Sequence, residues 1–327
     1  MYGQRGHDCR TGRNCAPNGS FGFVGSKRRV ALAFNCACLI EMTLTPKEIL
    51  RRYGIKPQRR LGQSFLVDMN TIGKIARASK VSPDDIVLEI GSGIGVLTKH
   101  IAQIARRVVA VEIDPQLVSV LQAQCGELSN IDICSCDILK FDFFSLSSKY
   151  GSRLKVIGNV PYNISSPVIF ALLSHRSVIS DFTLMLQKEV VERLVSLPGH
   201  KTYGIPSVLL QMYADVERLF DVSAACFYPS PKVDSSILKG TFRSTARMEL
   251  SDEMLFNRLV RASFAKRRKM LSNNLKSADF LKMMSDTDLK SALGEAGIDG
   301  KRRGETLSLF EFGNLSNILK NRLTNTL

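Results

Sequence analysis

The run Ile86-Val87-Leu88-Glu89-Ile90-Gly91-Ser92-Gly93-Ile94-Gly95 decides the fold. An apolar stretch carrying one acid, then three glycines at alternate positions ahead of VLTKHIA, predicts a buried strand, a tight turn and the start of a helix. Such a turn suits a nucleotide. Gly91 and Gly93 have no Cβ to hold a ligand away from the backbone, and the free N–H groups where the helix begins add a favourable dipole. A dinucleotide fingerprint requires a further glycine at position 96, where Val96 stands, so the spacing disfavours nicotinamide cofactors.

Working outward, the 327-residue chain is long enough for two domains, and its 44% hydrophobic and 23% charged content is that of a soluble globular protein. The formal net charge of +15 points to a polyanionic partner. Arg51, Arg52, Lys56, Arg59 and Arg60 precede the glycine turn, and Arg261, Lys266, Arg267, Arg268 and Lys269 form a second cluster far down the chain. Eight cysteines without a C-x-x-C pair, and four scattered histidines, argue for free thiols in a reducing compartment and against a metal site. Cys134 and Cys136 alternate with their neighbours, as on one face of a strand.

Pro46 starts a helix capped by Thr45, and residues 59–68 are an apolar loop close to the core. Helices are predicted over 70–79, 96–105, 115–125, 167–173 and 188–195, and strands over 107–114, 131–134, 155–162 and 181–187. Residues 207–213 and the VERLF segment read as further strands, and 227–242 as a proline-stiffened loop entering a last strand. The alternation predicts a mostly parallel sheet with helices on both faces. Beyond about Arg247 the pattern is helical, over 255–275, 286–296 and 309–323.

Three features carry chemistry. Glu112, at the end of the second strand, is placed to accept from ribose hydroxyls, and Asp137, at the end of the third, from an adenine amino group. After the fourth strand stands Asn159-Val160-Pro161-Tyr162. The lone pair of an exocyclic adenine nitrogen is delocalised into the ring, so a catalyst must draw it out. The Asn159 side-chain oxygen and the Pro161 carbonyl suit that task, and Tyr162 offers a stacking face to a base removed from its helix.

The E-x-G-x-G-x-G spacing from Glu89 to Gly95 resembles the first motif of S-adenosylmethionine-dependent methyltransferases. RRLGQSFL, EIGSGIGVLT, VEID, CDIL, IGNVPYNIS, MLQKEVVERL, YGIPSVLLQ, FYPSPKVDS and SFAKRRKMLSNNL follow in the order and spacing of the ribosomal RNA adenine dimethyltransferase family. The resemblance covers about Pro46 to Leu323 and is greatest to the small-subunit branch. It implies an α/β, Rossmann-like methyltransferase sheet over 42–246 with a smaller, all-helical RNA-binding domain over 247–327. It also implies S-adenosylmethionine as cofactor, held by Ser64, Leu66, Gly91, Glu112, Asp137 and Asn159, and Phe227 stacking on the target base opposite Tyr162. Ser64 stands where the family more often has asparagine or histidine, and Val160 where it has leucine. RNA contacts are expected from Arg59, Arg60, Lys266, Arg267, Arg268 and Lys269. The implied reaction is dimethylation at N6 of two adjacent adenosines near the 3′ end of 16S rRNA in the immature small subunit, by a monomer that uses neither metal nor membrane.

Two other functions share these motifs: a large-subunit rRNA adenine methyltransferase conferring antibiotic resistance, and a non-catalytic RNA-binding assembly factor. The long, basic C-terminal region speaks against the first and the intact NVPY and pocket acids against the second. Residues 1–41 are rich in Gly, Arg and Cys and lack periodicity. They are expected to be a non-native or disordered extension ahead of Met42 in a cytoplasmic protein. The alternative is a mitochondrial presequence, which the basic start and apolar run of residues 27–40 resemble in outline.

Overall fold

A computed structural model of the chain describes residues 44–324. The expectations for residues 1–41, and the chain end at 325–327, lie outside the described residues. Nine strands are present: β1 (Phe65–Leu66), β2 (Ile86–Ile90), β3 (Arg107–Glu112), β4 (Ile131–Ser135), β5 (Leu154–Asn159), β6 (Ile179–Gln187), β7 (Ala214–Val222), β8 (Phe227–Tyr228) and β9 (Ser235–Phe242). The described helices are α1 (Pro46–Arg52), α2 (Met69–Ala78), α3 (Val96–Ala102), α4 (Pro115–Cys125), α5 (Phe143–Tyr150), α6 (Ser165–Ser174), α7 (Lys188–Leu194), α8 (Ile205–Tyr213), α9 (Glu253–Ser263), α10 (Leu271–Lys276), α11 (Asp286–Glu295) and α12 (Leu309–Thr324). None of them is long and apolar enough to cross a membrane.

Seven strands make one sheet in the order β4-β3-β2-β5-β6-β9-β7. The first five run parallel, and β9 is antiparallel to both of its neighbours. β1 and β8 pair separately. Side chains alternate across a strand, so β2 feeds two cores. Ile86, Leu88 and Ile90 join the large cluster that holds Val168 and Leu172 of α6, while Val87 packs on the other face with Ile101 of α3. Burial on both faces explains why β2, β3 and β5 read as continuous apolar runs.

Helix starts follow their caps. Thr45 and Glu48 form a reciprocal capping box on α1, and Asp68, Asp114, Asp142 and Asp252 cap α2, α4, α5 and α9 through backbone N–H groups.

Three expectations need correction. Residues 207–213 are helix α8 and not a strand. Every residue from Ser207 to Tyr213 is buried, so no polar face marked the helical period, and the signal that remained was Pro206 in its first turn. The helix predicted over 255–275 is broken at 264–270, where the N–H groups of Leu271 and Ser272 donate to the carbonyls of Arg302 (2.7 Å) and Gly300 (3.0 Å). A distant loop thereby takes up the first N–H groups of α10 and fixes where that helix starts. Helix α5 was not expected at all. From Glu253 onward the described elements are helical, yet Leu259, Leu315 and Leu319 share one core with Val208 of α8 and Leu238 of β9. The described residues lie in a single compact unit.

Where β9 crosses β6, Gly240 lies opposite Phe182. A Cβ at Gly240 would fall 2.1 Å from the Phe182 ring, which is itself backed by Phe242 at a centroid distance of 5.3 Å. Gly240→Ala is therefore expected to destabilise the protein by about 1–3 kcal/mol through overpacking. The measurement is a urea titration, in which the midpoint should fall while the slope stays constant.

Candidate active site

The chain runs from β2 to β3 on one side and returns to β5 on the other, so the ends of β2 and β5 form a topological switch point, where open α/β sheets bind ligands. A cavity of about 200 Å³ lies there. Gly91 and Gly93 come from the turn after β2, Glu112 and Ile113 from β3, Asp137 and Leu139 from beyond β4, and Asn159 to Tyr162 from β5. The 61–65 loop and Phe227 complete the wall. Of the expected site residues, Ser64, Gly91, Glu112, Asp137, Asn159, Pro161, Tyr162 and Phe227 all line this one cavity. Leu66 instead lines a smaller one of about 60 Å³, shared with Gly91 and Asn159.

Gly91 has φ +68°, and a Cβ there would sit 3.2 Å from the Asn159 carbonyl oxygen. Its N–H and that of Ser92 both donate to the Val111 carbonyl, at 2.9 and 3.2 Å, which ties the turn to β3. The Glu112 carboxylate accepts three backbone N–H groups, from Gly93, Ile113 and Asp114, each at 2.9 Å. Burial pushes its pKa above the usual carboxylate range, and those N–H bonds oppose the rise. Asp137 Oδ1 accepts from the Leu139 N–H at 3.0 Å, leaving Oδ2 as a second acceptor. No lysine or arginine lines the cavity among the described residues.

Asn159 Nδ2 donates to the Ser64 carbonyl at 3.0 Å, so its amide oxygen remains as an acceptor. Ser64 also donates its hydroxyl to the Pro229 carbonyl at 2.7 Å. It thus joins the NVPY turn to the FYPSP loop. The Pro161 carbonyl accepts from the Ile164 N–H at 3.1 Å. The Tyr162 hydroxyl is bonded to Ser235 Oγ at 2.8 Å, and burial raises its pKa. Phe227 is buried and lines the same cavity, and among the described residues no ring contact joins it to Tyr162.

Asp114 was not anticipated. Its Oδ2 accepts from Gln58 (2.9 Å) and Gln63 (2.7 Å), fixing the 58–64 loop against the end of β3. The sequence signal was only an acid before Pro115, which its helix-capping role already explained. Cys134 lies on β4 and Cys136 one residue past its end, not on the strand as expected; their sulfurs are 3.1 Å apart, and Cys136 reaches the cavity wall.

The sequence profile described as Ribosomal RNA adenine dimethylase matches residues 54–314. The chain belongs to that family. It is 43% identical over 277 residues to Ribosomal RNA small subunit methyltransferase A of Syntrophus aciditrophicus (strain SB), a match covering 84% of this chain and 98% of the relative. The protein of the same name from Geobacter metallireducens is 45% identical over 268 residues, with coverages of 82% and 97%. Among solved structures, a dimethyladenosine transferase from Plasmodium falciparum superposes with a TM-score of 0.65 at 26% identity, covering 79% of this chain and 97% of that one. The 23S rRNA methyltransferase ErmE gives 0.61 at 26% identity, covering 78% and 99%. The sheet is accordingly the Rossmann-like sheet of a methyltransferase.

In this adenine dimethylase the expected basic residues lie outside the cavity. Arg60 is exposed, with Nε donating to Gln58 at 3.1 Å, while the side chain of Arg59 lies outside the described residues. Lys266, Arg267, Arg268 and Lys269 are exposed on the turn between α9 and α10, not on the helix predicted over 255–275, and Met270 is exposed with them. Arg267 is engaged by Glu305 at 3.0 Å and by the Lys201 carbonyl. A second basic run, Lys301 to Arg303, is brought alongside by the bonds from Leu271 and Ser272. The K-R-R run at 301–303 repeats that at 266–268, but only the tertiary pairing shows that the two meet.

Beneath the turn, fully buried Glu89 accepts from Thr98 Oγ1 at 2.5 Å and so anchors α3 to β2. Burial raises its pKa from 4.5 to about 7, against the Thr98 bond. Unfolded, this carboxyl ionises near 4.5; folded, it holds its proton to about 7. Between those values the folded state binds more protons, so stability falls as pH rises, and the full loss is present above 7. Glu89→Gln should remove that slope. Chemical denaturation at about pH 5 and about pH 8 should show the difference between the two shrinking by on the order of 3 kcal/mol.

Proposed function

We propose that the protein transfers methyl groups from S-adenosylmethionine to N6 of two adjacent adenosines near the 3′ end of 16S rRNA, acting as a cytoplasmic monomer on the immature small subunit. The observation that carries this reading is the orientation of Asn159. With its amide nitrogen given to the Ser64 carbonyl, its oxygen is an acceptor in a cavity bordered by Tyr162 and Phe227. The relatives at 43% and 45% identity are named for the small subunit, which favours it over the large subunit.

The cavity fits the cofactor. Two carboxylates and no cation suit a phosphate-free nucleoside that carries positive charge, with Glu112 accepting ribose hydroxyls and Asp137 the adenine amino group. S-adenosylmethionine supplies an electrophilic methyl group on a sulfonium, which departs as a neutral thioether. The protein's task is at the acceptor nitrogen. In the first transfer Asn159 Oδ1 and a backbone carbonyl accept the two N6 hydrogens and localise the nitrogen lone pair; in the second, one of them accepts the single hydrogen that remains. Because the Pro161 carbonyl already closes a turn with Ile164, the neighbouring Val160 carbonyl is assigned as the second acceptor, in place of the Pro161 expected from sequence. Tyr162, its hydroxyl held by Ser235 and its pKa raised, stays a phenol and contributes its ring face. The surplus N6 proton passes to water. Holding the nitrogen in line with solvent excluded supplies the acceleration. Lys266, Arg268 and Lys269, with Lys301 beside them, would hold rRNA phosphates, giving the helical part of the chain its role in substrate binding.

The test is transfer of a labelled methyl group to immature small subunits, with the modified nucleotides mapped by primer extension. Asn159→Ala should lower turnover at saturating donor by about a hundredfold or more, the scale for deleting a preorganised polar group at a reacting centre. Near-normal single-turnover methylation would remove Asn159 from the mechanism. Glu112→Ala should weaken donor binding by roughly 1–3 kcal/mol in a calorimetric titration.

A further inference from the structure

Beside the cavity lies a groove that the proposed reaction does not use. Helix α1 buries Ile49 and Leu50 against Phe65 of β1, and this contact turns Lys47 and Arg51, four residues apart, away from the core. At the end of α1, Gly54 takes φ +60° and the Ile55 N–H donates to the Leu50 carbonyl at 2.9 Å, folding the chain back so that Lys56 joins them. β1 pairs with β8, Phe65 opposite Tyr228 and Leu66 opposite Phe227. Consecutive residues of a strand face opposite ways. Phe227, 4% exposed, therefore lines the cavity, whereas Tyr228, 47% exposed, lines the groove with Lys47, Arg51 and Lys56.

Among the described residues these three cations enter no ion pair or hydrogen bond. The one acid of α1, Glu48, has its carboxylate taken up by Thr45, at 2.7 and 2.8 Å. Arg51 is near enough to Glu48 to lower its pKa, but the groove keeps an excess of positive charge, and an exposed ring edged by such charge is the composition that holds single-stranded nucleic acid: phosphates meet the cations and a base stacks on the ring. A base drawn out of its stack also leaves its neighbour without a stacking partner. Phe227 and Tyr228 are adjacent residues, their Cα atoms about 3.8 Å apart, so one two-residue strand presents a ring to each of two places.

We propose that the groove formed by Lys47, Arg51, Lys56 and Tyr228 carries the single-stranded RNA flanking the target adenosine, with the neighbouring base stacked on Tyr228 and the backbone phosphates against the three cations. This rests on the adenine methylation reading and extends it by assigning the path of the strand.

The full-length protein, Tyr228→Ala, Tyr228→Phe and the triple variant Lys47→Gln/Arg51→Gln/Lys56→Gln are compared in methyl transfer to immature small subunits and in binding to protein-free 16S rRNA. Tyr228→Ala should raise KM for RNA by about tenfold, the scale of one base–aromatic stack, with Tyr228→Phe restoring it. The triple variant should flatten the salt dependence of RNA binding by about two units of slope. Turnover at saturating RNA and donor affinity should stay within about twofold, which also reports that the variants fold. Unchanged KM and salt slope in variants of an active wild type would overturn the groove and leave the methylation reading standing. Absence of methyl transfer by the wild type would instead remove the methylation reading, and the proposal with it. Defects with whole subunits but none with protein-free rRNA would mean that the groove meets a ribosomal protein, which also overturns the proposal.

Discussion

The structure depends on how closely the ends of β2 and β5 approach. At Gly158 of β5 a Cβ would fall 2.5 Å from the Ile90 carbonyl oxygen, and at Gly91 one would fall 3.2 Å from that of Asn159. Two strands that run parallel for their whole paired length thus stay in contact to their last residues, with no side chain wedged between them. Everything that follows β2 and β5 is then confined to one place: the glycine turn from one, the NVPY turn from the other. A larger residue at 158 would separate the glycine turn from Asn159.

Confinement has an electrostatic consequence. The switch point gathers carboxyl groups, Glu89 beneath the turn and Glu112 on its rim, and burial raises the pKa of both. The two are held differently. Glu112 is surrounded by backbone N–H donors, which favour its charged form, whereas Glu89 has side-chain hydroxyls and an apolar surround. The N–H donors thereby favour the charged form of the rim acid, and the buried one serves as a structural anchor whose cost grows with pH. Among the described residues no lysine or arginine lines the cavity, so its carboxyl groups are kept apart from the basic surface of the chain.

The parts of this arrangement written in local pattern were legible in the sequence. Strand ends, the glycine turn, Glu112, Asp137 and Asn159 all follow from apolar runs that stop at a polar residue, and the sheet order places those stops side by side. Helix α8 was misread because it is buried all round, which erases the period that distinguishes helix from strand. The break at 264–270 was invisible because the start of α10 is tied to residues 300–302, far along the chain. The roles of Asp114 and Ser64 were hidden for a related reason: each works through partners from other loops, Gln58 and Gln63 for the first and Pro229 for the second.

Those loop-to-loop bonds indicate how the site is held. Loop 58–64 is fixed at one end to Asp114 on β3 and at the other, through Ser64, to both Asn159 and the FYPSP loop. It is bonded to the end of β3, to the NVPY turn and to the loop bearing Phe227. A flexible tether there would let these parts drift separately, and reacting atoms held loosely forfeit much of the gain from orientation. Serine suits its end of the loop, because its hydroxyl is a single rotation from the backbone. The departure at position 64 from asparagine or histidine therefore leaves the loop anchored: the backbone carbonyl still orients Asn159, and the hydroxyl holds the loop on which Phe227 stands.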